Sequence, residues 1–135
     1  MSSALTPFLA VREAAHRLDG TSSDYARLLE LAHEKQFVLL GEATHGTADF
    51  YRMRAQITQA LIADEGFDAV AIEGDWPDAW RVNRYVHGEG HDDSVMAVAD
   101  FQRFPSWMWR NQEFLPGAIA TLPTLTLFDC SAGWP

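Results

Sequence analysis

The sequence predicts an α/β protein built on a βαβ unit, with parallel strands flanked by helices, and three stretches carry that prediction. Phe37-Val38-Leu39-Leu40 is a short apolar run that breaks at Gly41. Residues 47–65 carry a long helical pattern ended by Gly66. Asp68-Ala-Val-Ala-Ile-Glu73 is a second apolar run, closed by Glu73-Gly74-Asp75. Two such strands joined by a helix are expected to lie parallel with a right-handed crossover. Both then finish on one edge of the sheet, the carboxyl edge at which open α/β sheets bind their ligands.

Taken in order, residues 6–18 read as a first helix with Thr6 as N-cap, Pro7 as its first residue and Asp19-Gly20 as the stop. Phe8, Val11, Ala15 and Leu18 share one face. A second helix over 23–33 places Tyr25, Leu28, Leu29 and Ala32 inward, and strand 37–40 follows. The helix over 47–65 has an apolar stripe of Phe50, Ile57 and Leu61, with Arg54 in the middle of it. An arginine on a core-facing stripe is costly unless it is paired, so Arg54 is expected to point inward against a carboxylate. Asp75 and Pro77 open a further helix from Trp76 to His87, which Gly88-Glu-Gly90 breaks. A weaker helix is expected over 94–102, a turn at Phe104-Pro105, and a last helix over 106–115 capped by Ser106. His87 and His91 flank the glycine-rich loop and read as surface residues. Residues 116–135 hold one charge and three prolines; Leu125 to Phe128 has the character of a strand.

Bulk properties narrow the function. A chain of 135 residues is about one domain, and 47% hydrophobic with 21% charged residues is ordinary for a folded protein. The net charge of −9, with nine arginines and one lysine scattered, supplies no basic stripe for nucleic acid. A single cysteine, Cys130, permits no internal disulfide and no thiolate metal cage. Neither a signal peptide nor an apolar run of membrane length is present, so a cytoplasmic protein is expected, with no membrane partner.

The loop after the first predicted strand, Gly41-Glu42-Ala-Thr-His45-Gly46, carries the chemistry. With Glu73 at the neighbouring strand end and Arg54 on the helix leaving the loop, it assembles two acids, an imidazole and a guanidinium. An imidazole titrates near neutral pH and can take a proton from water, and a carboxylate can hold its tautomer. A second acid can position that water, and an arginine can steady an acid or a developing oxyanion. The set suits hydrolysis through activated water. No G-x-S-x-G elbow is present, so a serine nucleophile of the α/β-hydrolase kind is not supported. Other readings of the loop remain open here. Gly41 and Gly46 have the spacing of a phosphate loop without its lysine. His45, Glu42 and Glu73 can ligate a metal. Glu42 and His45 can also serve merely to cap the helix that begins at Thr47.

Several blocks in succession resemble the N-terminal part of the erythromycin esterase family. They are Val-Leu-Leu-Gly-Glu42-Ala-Thr-His45-Gly, Phe50-Tyr-Arg-Met-Arg54, Ala-Ile-Glu73-Gly-Asp75-Trp, Asn83-Arg-Tyr-Val, and Phe104-Pro-x-Trp-Met-Trp109-Arg-Asn111-x-Glu113. The resemblance implies a larger erythromycin-esterase-like α/β domain, of which residues 1–115 are the N-terminal part. It implies hydrolysis of a small-molecule ester or lactone, the family's macrolide antibiotics among them, and hence an antibiotic-resistance type of activity. It further implies that His45 is the general base, that Glu42, Glu73 and Arg54 share its cleft, and that no cofactor is needed, although distant relatives of the fold bind metals. The family's second active-site histidine comes from a later region without a counterpart here. Residues 116–135 depart from the family pattern and are expected to be an atypical, frameshifted or mis-joined tail, leaving a fragment that is catalytically inactive or only partly folded.

Overall fold

The computed structural model describes residues 5–41, 43–102, 108–111, 113 and 126–129. Glu42, the Phe104-Pro105 turn, Ser106 and most of the 116–135 tail lie outside those residues. Helices dominate: α1 (Leu5–Ala14), a 3-10 turn (Ser22–Tyr25), α2 (Ala26–Ala32), α3 (Ala48–Glu65), α4 (Trp76–Val86) and α5 (Ser94–Ala97). Two four-residue strands accompany them, β1 (Ala69–Ile72) and β2 (Thr126–Asp129), paired in parallel with Ala69 opposite Thr126. None of the described helices is long and apolar enough to cross a membrane.

The expected βαβ unit does not form. Residues 37–40 carry no regular structure, and Phe37 and Leu39 are 83% and 93% exposed. A parallel strand is held by the ladder it shares with its neighbour. Here the ladder of β1 is made with β2, from the stretch whose strand character was read at 125–128, and the 37–40 run keeps only Val38 and Leu40 partly covered. The α/β expectation therefore reduces to a mainly helical chain with one short strand pairing.

Where local chemistry decides the boundary, the helices follow the sequence. Thr47 stands at the N-cap of α3 with extended backbone, and Gly66 ends the helix in the left-handed region at φ 74°. Asp75 takes the N-cap of α4, with Pro77 in its first turn. The carboxylate of Asp93 accepts from the Met96 N–H at 2.8 Å and starts α5, which is shorter than the 94–102 expected. Helix α1 begins a residue before Thr6, so that threonine is not its cap, and ends at Ala14, short of Leu18. Its apolar residues Phe8 and Val11 are exposed, as are Ala15 and Leu18 beyond it. Of the helix expected over 106–115, Met108 is in 3-10 geometry, while 109–111 and 113 carry turns and bends, with Asn111 donating from Nδ2 to the Met108 carbonyl at 2.8 Å.

The core gathers on one side of α4. Ala79, Val82 and Asn83 are buried and Val86 partly so, which is one helical stripe. Val82, with no exposed surface, packs in a cluster with Ile72 of β1, Val98, Phe101, Met108 and Trp109, and α3 adds Ala55 and Ile62. Helix α2 is tied to α3 by the Tyr25 hydroxyl donating to Gln56 Oε1 at 2.9 Å and by His33 Nδ1 against Glu65 Oε2 at 3.0 Å.

Arg81 locks α4 to the segment around α5. Its Nε and Nη2 donate to the two oxygens of Asp92 at 2.7 and 3.2 Å, and Nη1 donates to Asp100 at 2.7 Å. The fork holds the Asp92 carboxyl below the ordinary carboxylate range and the guanidinium above its own. A depressed folded value means that this stabilisation is present above the unfolded value near 3.8 and is lost as pH falls through the lower folded value. Urea denaturation of wild type and Arg81→Met is therefore expected to show a gap in midpoint at neutral pH that closes well below pH 3.8. A gap of the same size in acid would assign the effect to packing of the arginine stem.

Candidate active site

His45 lies in a short turn ahead of α3, with its side chain exposed. The turn is pinned from the helix: the Tyr51 hydroxyl, one turn into α3, donates to the His45 carbonyl at 3.0 Å. Within the turn, the Gly46 N–H donates to Thr44 Oγ1 at 3.3 Å. Tyr51 is itself 5% exposed, so this hydrogen bond is sheltered from competing water.

Arg54 follows Tyr51 by three residues and so shares its face. Its Cζ stands 5.1 Å from the centroid of the Tyr51 ring and 5.4 Å from that of Trp109, placing the cation against two aromatic faces. The arginine points inward and is half-buried, as its stripe position predicts, with two aromatic faces among its contacts.

Trp109 completes the arrangement. It is 8% exposed, packs on Phe101 with centroids 6.4 Å apart, and donates from Nε1 to the Glu73 carbonyl at 2.8 Å. Gly74 lets the indole approach. A Cβ there would meet Phe101 Cε1 at 3.3 Å and Trp109 Nε1 at 3.5 Å, crowding the bond to Glu73. The Glu73 side chain is exposed at the end of β1.

Three of the four predicted site residues are thus joined by one run of contacts: His45 to Tyr51, Tyr51 to Arg54, Arg54 to Trp109, and Trp109 to Glu73. The fourth, Glu42, lies outside the described residues. The route differs from the one expected, since a shared sheet edge does not bring the His45 turn and Glu73 together. Tyr51 and Trp109 were missed as site residues. Tyr51 had a signal, because it precedes Arg54 by three, whereas the stripe was set one residue earlier on Phe50. Trp109 lies thirty-six positions after Glu73, and nothing local tied the two. Among the described residues, no three His, Cys, Asp or Glu side chains converge on a metal-sized site.

The comparisons with known proteins bear on this region. The family model described as erythromycin esterase matches residues 62–116, a stretch that includes Glu73 and Trp109. That stretch is similar in sequence to the erythromycin esterases. The erythromycin esterase type II of Escherichia coli is 29% identical to this chain over 77 residues, which are 57% of the chain and 18% of that enzyme's length. The chain therefore spans less than a fifth of the esterase it matches. No solved structure matches. The matched segment runs from late α3 through β1, α4 and α5, so the core and the Glu73 end of the site lie inside the esterase-like region, and the His45 turn lies ahead of it.

In chemical terms, the exposed imidazole of His45 is reachable by water and substrate, while Arg54 is sheltered between two rings. A fixed positive charge can stabilise an ester's carbonyl oxygen as it gains charge. The exposed carboxylate of Glu73 stands at the other end of the run of contacts.

Proposed function

We propose that this chain carries one wall of a carboxylic ester hydrolase site of the erythromycin esterase type. His45 takes the proton from an attacking water. Glu73 and Glu42 orient the imidazole and the water, and Arg54 balances their charge or that of the tetrahedral intermediate. The single observation that best supports this reading is the run of contacts linking His45, Arg54 and Glu73, lying against a segment with erythromycin esterase similarity. A macrolide lactone or a simpler ester is the proposed substrate, and resistance to such an antibiotic the proposed biological consequence.

The test is hydrolysis by the purified chain of a macrolide lactone and a set of simple esters, with and without a chelator, followed by the mass of the ring-opened product. Cleavage indifferent to the chelator is the expected result. Cleavage that the chelator abolishes would favour a metal-dependent hydrolase instead, and no cleavage of any member would overturn the activity for this chain. A second reading, that the chain alone is catalytically silent, is favoured by the exposure of Phe37 and Leu39 beside the His45 turn. It predicts a broad, non-cooperative thermal transition, and a sharp one would count against it.

A further inference from the structure

We propose that Tyr51 and Trp109 are positioning residues, an aromatic clamp that fixes the Arg54 guanidinium and couples the His45 turn to the end of β1. The inference deepens the hydrolytic reading above and rests on it. Each ring has two functions in the geometry. Tyr51 presents its face to Arg54 at 5.1 Å and its hydroxyl to the His45 carbonyl at 3.0 Å. Trp109 presents its face to Arg54 at 5.4 Å and its N–H to the Glu73 carbonyl at 2.8 Å. Both hydrogen bonds end on backbone carbonyls, so they set where the chain stands at positions 45 and 73 while leaving the side chains of His45 and Glu73 outward for chemistry. The common element is the arginine, which each ring touches by its face.

Burial makes the arrangement specific. Tyr51 and Trp109 are both nearly covered, so their donors meet little competition from water, and an aromatic face attracts a cation more strongly when desolvated. A phenylalanine at either position would keep a ring in the core and a face for Arg54, yet would release one of the two carbonyls. That separates the packing function of each ring from its positioning function.

The experiment uses the full chain and two kinds of readout. The first is NMR of the Arg54 side chain, whose protons two flanking rings displace upfield. Tyr51→Leu and Trp109→Leu are each expected to remove part of that displacement. Tyr51→Phe and Trp109→Phe, which are milder should the leucine variants fail to fold, are expected to keep most of it while moving the backbone resonances around His45 and Glu73 respectively. The second is ester hydrolysis. A reacting group displaced by about 1 Å costs on the order of 100-fold in rate. Tyr51→Phe is thus expected to lower kcat, referred to the folded fraction measured by circular dichroism, about 10- to 100-fold while KM changes less than about twofold. Arg54 protons at ordinary positions, or unmoved by the leucine variants, would overturn the clamp. So would an unchanged kcat in Tyr51→Phe. Intact ring-dependent shifts in a chain that hydrolyses no ester would leave the clamp standing and overturn the hydrolytic reading beneath it.

Discussion

His45→Ala is expected to lower ester hydrolysis by roughly 100- to 10,000-fold, the usual worth of a positioned general base, and to leave the stability of the chain nearly unchanged. The two halves of that expectation have separate physical grounds. Removing the imidazole takes away the group that would accept the proton from water. Stability is spared because the His45 side chain is exposed and the Tyr51 hydroxyl bonds its backbone carbonyl, which alanine retains. An exposed substitution of this kind costs within about 0.5 kcal/mol. Equal rates for wild type and variant on the same ester, with matched unfolding midpoints, would remove His45 from the mechanism. A loss of rate accompanied by a large fall in midpoint would show instead that the turn itself had collapsed.

The second large effect is on stability. Trp109→Ala is expected to destabilise the chain by about 3–5 kcal/mol, the range for deleting a buried large aromatic. Trp109 fills the junction of Ile72, Phe101 and Met108, and alanine leaves a cavity that α4 and β1 cannot close without moving. The change also frees the Glu73 carbonyl and removes one aromatic face from Arg54, adding roughly 0.5–2 kcal/mol for the lost cation contact. A domain of this size is held by only about 5–15 kcal/mol, so the variant is expected to be largely unfolded at physiological temperature. Urea denaturation followed by far-UV circular dichroism measures the shift. Trp109→Phe, which refills most of the volume, is expected to recover more than half of it, and a full-sized loss in the phenylalanine variant would assign the stability to the N–H bond rather than to packing.

How far the architecture was legible depends on whether local chemistry or distant contacts decided each element. Helices α3 and α4 were readable because their ends are written in single residues, Thr47 and Gly66 for one and Asp75 with Pro77 for the other. The Phe37–Leu40 run was not. An apolar run reports only a wish to be covered, and whether it becomes a strand rests on a partner supplied from far along the chain. Strand β1 finds that partner in β2, across the whole length of α4 and α5, and no local pattern names the pairing. The site shows the same division. Arg54 was legible as an inward arginine because a cation on an apolar stripe demands an explanation, and Glu73 was placed by the end of its strand. What receives Arg54 was not legible, since Tyr51 was hidden by a stripe set one residue early and Trp109 lies some fifty positions away. Sequence favoured a carboxylate because an ion pair is the commoner remedy; two aromatic faces also receive the cation.

The exposed run at 37–40 also governs how the molecule behaves in company. Phe-Val-Leu-Leu is an uncharged, β-prone tetrapeptide with Phe37 and Leu39 exposed, a composition that favours edge-to-edge association. Lys35 sits just ahead of it and Glu42 just beyond, as charged residues often flank such segments. The net charge of −9 adds a long-range repulsion between molecules. That repulsion is screened within about 8 Å at physiological ionic strength, so added salt or mild acid is expected to turn a monodisperse preparation into a self-associating one, with the apolar tetrapeptide as the point of first contact.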